Sequence, residues 1–328
     1  MPRIIFDFEE GPYRIATTNG KDGKLNGEKE GKMATPSTAK PPTDPVLNSA
    51  WTTYRLWANT ANYNRGVIDR FTKWSLGLAI GGAIVATIGE QHLIPGTATG
   101  AVASAAIALS AFLSKQAQGD NRVSIWTQSR AAAEFLKSGL FLYRVGGQPF
   151  DGQDRAAQMT QRVQKVLNDM AKVESRQPEQ KPVPELGPLT VDDYIKTRVQ
   201  EQIDWYSKRA RDHQGSADFC RNSTTGLGAV SVLLTVSSAM GMFGAWVPVI
   251  ATITASITAF LKSQQYQMLA ATYKAAASRL MLLRDQWLAS GKTDADKVER
   301  NAFIQSCEAT MATENGGWSA LWSTQTAG

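Results

Sequence analysis

The sequence predicts an all-α membrane protein: four transmembrane helices arranged as two tandem helical hairpins, with long cytoplasmic helical extensions. Two observations carry this. From Trp74 to Ser114, 41 residues hold only Glu90 and His92 as titratable groups, and from Asn222 to Leu261, 40 residues hold none. A soluble helix shows one face to water and rarely runs so far without charge. The segments around the two deserts also resemble each other. The chain carries 35 Lys plus Arg against 29 Asp plus Glu, a net +6 over 328 residues. Those cations bracket the deserts and do not gather on one face, so a lipid bilayer is the expected partner and nucleic acid is not.

Residues 1–45 are read as a small N-terminal β-hairpin followed by a disordered linker. Arg3 to Phe8 and Tyr13 to Thr18 alternate around Gly11-Pro12. Residues 19–45 hold Lys, Gly, Glu, Thr and Pro with almost no large apolar side chain. No apolar signal segment is visible there. A helix crosses ~30 Å of hydrocarbon in about 20 residues, so each desert holds two crossings and a turn. The first unit, 46–175, places them near 74–93 and 97–115. Residues 176–190 form a linker. The second unit, 191–328, places them near 223–241 and 246–262, with Pro248 at an ordinary helix start. A further helix is expected at 154–175.

Orientation follows the positive-inside bias. Arg65, Arg70 and Lys73 precede the first hairpin, and Lys115 and Arg122 follow it. Lys208, Arg209, Arg211 and Arg221 precede the second, and Lys262 and Lys274 follow. Neither turn holds Lys or Arg. Both turns are therefore placed outside and both termini in the cytoplasm, as in a multi-pass protein of the cell (inner) membrane.

Ala111-Phe112-Leu113 at the end of the second crossing matches Ala259-Phe260-Leu261 at an offset of 148. Ser129 to Ala133 matches Tyr273 to Ala277 at 144, so a four-residue insertion in the first copy, at Gly119 to Arg122, accounts for the difference. Each copy reads as a leading helix, a membrane hairpin and a long exit helix. The exit helices carry heptad seams: Trp126, Ser129, Ala133, Leu136, Leu140 and Tyr143 in one, and Tyr266, Leu269, Tyr273, Ala276, Leu280, Leu283 and Trp287 in the other. The fourth crossing is expected to continue unbroken into its exit helix. Small pairs at Gly77/Gly81 and Gly82/Ala86, and the stripe Ala251, Ala255, Ala259, suit close helix packing in lipid and a homo-oligomer.

Ser231 with Thr235, and Thr254 with Thr258, share helix faces and are candidate pore-lining residues. The alternative is that each hydroxyl bonds the carbonyl one turn back. Glu90 and His92 could ring an extracytoplasmic mouth or simply sit in a solvated turn. Two cysteines and two histidines leave little material for a metal site or a catalytic triad, so no catalytic residue, metal or cofactor is expected.

Before the second hairpin, Tyr194, Arg198, Gln202, Trp205, Tyr206, Arg209 and Ala210 form Y-x3-R-x3-Q-x2-W-Y-x2-R-A. Downstream, Phe303, Glu308, Glu314, Asn315 and Trp318 form F-x4-E-x5-E-N-x2-W. These motifs resemble those of the SLATT superfamily, two-helix membrane modules that include the DUF4231 group. Tyr54-Arg55, Trp57-Ala58, Trp74, Trp126 and Ala131 resemble another SLATT subgroup in the first unit. The resemblance implies a bacterial membrane protein of the pore-forming effector type, acting in defence and encoded beside nucleotide-signal enzymes. A cytoplasmic signalling protein or a nucleotide signal would then be its partner. The motif residues read mainly as architecture, with Glu308 paired to Arg198 or Arg209. A non-conducting membrane scaffold is the rival reading, and fold does not choose between the two.

Overall fold

The computed structural model describes residues 44–90, 96–118, 121–178, 186–239 and 244–325, the last twelve by their backbone alone. The expected N-terminal β-hairpin and all but the last residues of the linker lie outside them, as do His92 and residues 240–243 of the second turn. Among the described residues every regular element is helical.

Helix α1 runs from Pro45 to Glu90 and α2 from Gly96 to Gln118. The exit helix α3 covers Arg122–Val145, and α4 covers Arg155–Asp169. In the second unit a short α5, Val191–Tyr194, opens on a Thr190/Asp193 capping box and widens into a π-helical turn, Ile195–Gln200. Helix α6 follows over Glu201–Ala239. A 3-10 turn, Gly244–Trp246, leads into α7, Val247–Gln264, with Pro248 in its first turn. The unit ends with α8, Tyr266–Ala289, and α9, Lys297–Gln325.

Two sequence expectations need correction. The fourth crossing does not run straight into its exit helix. Gln265 takes a left-handed conformation at φ 49° and separates α7 from α8. Asn121, at φ 72°, caps the start of α3 at the equivalent place, one repeat offset of 144 earlier. Both are polar residues in a helix-terminating conformation that Asn adopts readily and Gln less so. The helix expected at 154–175 also stops early, at Asp169. The chain tightens through Met170 and Val173, burying Met170. It then docks on α1, where Asn59 donates to the Arg176 carbonyl at 2.9 Å and the Arg176 amide donates to Thr60 Oγ1 at 2.9 Å.

The first hairpin is closed by small residues. Ser75 Oγ donates to the Ser110 carbonyl at 2.9 Å, and Ser110 Oγ returns the bond to the Ser75 carbonyl at 2.8 Å. At Gly82 a Cβ would lie 3.0 Å from Ile107 Cγ1 and 3.3 Å from the Ala103 carbonyl oxygen, so glycine lets the backbones approach. Gly77 and Gly81 meet nothing within 4 Å, and Ala251, Ala255 and Ala259 are exposed. Of the expected small-residue contacts, that of Gly82 is used within one chain, and those of Gly77, Gly81 and the alanine stripe are not. Gly82→Val is expected to overpack the hairpin and cost about 1–3 kcal/mol, read as a lower unfolding temperature of the detergent-solubilised protein.

The core lies in the bundle formed by the non-desert parts of the helices. Every residue of the first exit seam is buried, and in the second only Leu283 is half-buried. These seams pack with Trp51, Tyr54 and Trp57 of α1, Val199, Ile203 and Tyr206 of the second leading helix, and Phe303, Ile304 and Met311 of α9. On α3, Gly139 leaves room for Arg162 of α4, which donates to the Phe135 carbonyl at 2.8 and 3.0 Å. The linker between units is held by Arg144, whose Nε donates to the Gly187 carbonyl at 2.8 Å.

Candidate functional site: a buried charge cluster below a row of apolar helices

The second motif and the first unit meet around one carboxylate. Arg198 Nε donates to Glu308 Oε1 and Nη2 to Oε2, both at 3.0 Å, a bidentate pair. Tyr194 Oη donates to Oε1 at 3.0 Å, and the Ser138 hydroxyl of α3 bonds the same carboxylate. The π turn widens the helix between Tyr194 and Glu201 and sets Arg198 on this face. Phe141 of α3 lies 5.0 Å from the guanidinium and 6.4 Å from the Tyr194 ring. The pair is therefore shared by α3 of one unit and by the leading helix and α9 of the other.

Arg198 and Glu308 are 2% and 6% exposed. Burial raises the Glu308 pKa, but the adjacent guanidinium outweighs it and holds the carboxyl below the usual carboxylate range. Burial lowers the Arg198 pKa, but Glu308 reverses that and holds it above its ordinary value. Tyr194 is pushed well up, by burial first and Glu308 second. Beside this pair sit Lys137 and Glu134 of α3, both buried. Burial pulls Lys137 down to about 7, against the opposing pull of Glu134.

Sequence reasoning left Glu308 between Arg198 and Arg209, and the structure brings it to Arg198. Gln202 and Tyr206 are buried in the same helix. Trp205 is half-buried, and Arg209 lies over its ring at 5.6 Å. Glu314, Asn315 and Trp318 lie on α9 with their side chains outside the description, as does that of Glu90 at the end of α1. Lys137, Glu134 and Ser138 escaped sequence reading. Their one signal was three polar residues placed between Leu136, Leu140 and the rest of an apolar seam.

Toward the apolar segments, an aromatic ladder stands between α6 and α8. Tyr273 stacks on Tyr206 at 5.8 Å and on His213 at 5.6 Å. Burial, then Arg209 and Arg65, pull the His213 imidazole down to about 4, so it packs as a neutral ring.

Beyond the ladder the contacts between helices follow one row, α2, α1, α7, α6. Helix α1 packs on α2 and on α7, and α7 packs on α6. Among the described residues, α2 has no substantial contact with α6 or α7, nor α1 with α6. Two stretches, Pro45–Gly89 and Ala98–Val145, are long and apolar enough to cross a membrane, with 11% and 17% of their most apolar windows buried. In α6 and α7 hydroxyls interrupt the apolar residues. Thr235 Oγ1 donates to the Ser231 carbonyl, Thr254 Oγ1 to that of Ile250 and Thr258 Oγ1 to that of Thr254, each at 2.8 Å. Ser231 and Thr254 are half-buried, and Thr235 and Thr258 are exposed. Three of the four pore-lining candidates, Thr235, Thr254 and Thr258, thus spend their hydroxyl protons on their own helices.

A tandem of two apolar helix pairs, joined by a helical bundle with a buried charge cluster, is the class these features define. Two family models match it: SMODS and SLOG-associating 2TM effector domain 3 over residues 59–190, and SMODS and SLOG-associating 2TM effector domain 1 over residues 194–318. The chain belongs to the SLATT superfamily and carries two of its domains in tandem. No curated protein and no solved structure matches it. It is a membrane-associated protein of the effector type.

Proposed function

We propose that this is a non-enzymatic integral membrane protein whose copies assemble into a pore, with opening controlled from the cytoplasmic bundle. In this reading all four hairpin helices cross the inner membrane, with both turns outside and both termini in the cytoplasm. The observation that carries it is the bare apolar surface of the row, on a chain made of two 2TM effector domains. Val230, Val232, Leu233 and Val236 of α6 are exposed, as are Val102, Ile107, Leu109 and Phe112 of α2. The back-bonded hydroxyls of α6 and α7 support the crossing of the second hairpin, because lipid offers no water to satisfy them. Control from the bundle is supported by continuity. Helix α1 runs unbroken from the core through its desert, and so does α6. A shift at the Arg198–Glu308 cluster, driven by a signalling protein or a nucleotide signal, would be carried along those helices.

The test is to reconstitute the purified protein in a planar bilayer and record current. Discrete steps are expected. Silence from inserted, oligomeric protein would leave a closed channel that awaits its signal or a non-conducting scaffold. Thr254→Leu with Thr258→Leu is expected to cut unit conductance without lowering insertion, and unchanged conductance would remove that face from the pore.

A further inference from the structure

We infer that copies of this chain join edge to edge in the membrane, with the outer face of α6 on one copy seated against the outer face of α2 on the next. This rests on the membrane reading of both hairpins. It names the interface between copies that the pore reading requires.

The argument starts from the order of helices. Contacts run α2, α1, α7, α6. In terms of the repeat, these are the second helix of unit one, the first of unit one, the second of unit two and the first of unit two. The row therefore alternates second, first, second, first. Within the chain, the units touch through the first helix of unit one and the second helix of unit two, α1 on α7. The repeat of that contact is the first helix of unit two on the second helix of unit one. Those are α6 and α2, the two helices that end the row and make no substantial contact with each other among the described residues of one chain. A second copy supplies the missing contact and continues the alternation. The two edges differ, so the contact is head-to-tail, and such contacts close into rings when the rotation allows.

The edges fit this occupant. On α2 the side turned away from α1 reads Ala101, Ala105, Ala108, Phe112 and Lys115, spaced four and three and all exposed. On α6 the side turned away from α7 reads Gly226, Ala229, Leu233 and Val236, spaced three and four and all exposed. Both have the heptad spacing of a packing seam. With both hairpins oriented alike, α2 and α6 of adjacent copies run antiparallel. Ala108 and Ala105 then stand about as far from the first turn as Gly226 and Ala229 do from the second. Small residues face small residues at mid-depth, where backbones can close up in lipid. Leu233, 68% exposed, falls opposite the small Ala101 nearer the turn.

The test is cysteine cross-linking of the full chain in membrane vesicles. The native Cys220 and Cys307 are both buried, and the parent chain controls for them. Ala108→Cys with Gly226→Cys in one chain is expected to give a ladder of disulfide-linked multimers on mild oxidation. Ala105→Cys with Ala229→Cys serves as a second pair should the first not fold. Each single variant is expected to give no ladder. Three results would overturn the proposal: dimers from Ala108→Cys alone, which would make α2 meet α2; no ladder from either pair while the protein is oligomeric by light scattering; or a monomeric protein. Current recorded on the same material separates the two readings. Current without the ladder removes this interface and keeps the pore, whereas a ladder in a silent bilayer keeps the interface without an open pore.

Discussion

Glu308→Ala is expected to unfold the bundle at much lower temperature, losing about 3–5 kcal/mol of stability. The substitution does not merely delete a contact. It leaves the Arg198 guanidinium, 2% exposed, facing Phe141 and Lys137 with its bidentate acceptor gone. Tyr194 loses its acceptor in the same step. A buried cation left unpaired in this way bears nearly its full desolvation penalty, which exceeds what an intact pair contributes. The double variant Arg198→Met with Glu308→Leu is therefore expected to be more stable than Glu308→Ala alone, because no orphaned charge remains. Thermal unfolding of the solubilised protein, followed by circular dichroism, checks both. If Glu308→Ala unfolds within a degree of the parent, the pair is not the inter-unit fastening described above. If instead the double variant is stable but its channel activity no longer responds to conditions, the pair serves control more than stability.

Much of the architecture was legible because it follows from periodicity along the chain. Charge-free stretches of fixed length marked the hairpins, and the heptad spacing of Trp126, Leu136 and Leu140 marked a buried face. The four-four-three spacing of Tyr194, Arg198, Gln202 and Trp205 placed them on one helix, and Tyr194, Arg198 and Gln202 are indeed buried in it. What stayed hidden depends on contacts between distant segments. Whether Glu308 meets Arg198 or Arg209 is decided by where α9 crosses the leading helix, and no local pattern encodes that crossing. Lys137 looked like an interruption of a seam. It reads as part of a cluster only once α9 and the π turn are brought against α3. The same holds for the apolar helices. Four crossings are an expectation of the sequence, and the order α2, α1, α7, α6 arises from packing between units. The breaks at Asn121 and Gln265 were obscure for a different reason, since neither is a glycine, the usual mark of a left-handed residue.

The second large effect concerns pH. Between pH 7 and about 8.5 the parent protein is expected to become more stable, and Lys137→Met to lose that rise. Lys137 is fully enclosed, with Glu134 on its own helix, Arg198 and Glu201 on the second leading helix, and Glu308 on α9 as its charged neighbours. Its folded-state pKa, about 7, lies below the unfolded value near 10.5. Below pH 7 the amine is charged in both states, so the cost of burying that charge is fully present. As pH rises through 7 the folded protein releases the proton while the unfolded chain keeps it. The unfolded state then binds more protons, and stability climbs with pH. Over the whole interval the gain is on the order of a few kcal/mol. The upper limit of the window is set by Cys307 and Tyr194, whose folded pKa values are raised. Above about pH 8.5 they ionise first in the unfolded chain and pull stability down. Met fills the same space without a charge to bury, so Lys137→Met is expected to exceed the parent in stability at pH 6.5 and to follow a flat profile up to 8.5. Urea unfolding midpoints at pH 6.5, 7.5 and 8.5 for both proteins decide it. Parallel profiles would show that Lys137 keeps its proton throughout, with Glu134 holding the charge against burial.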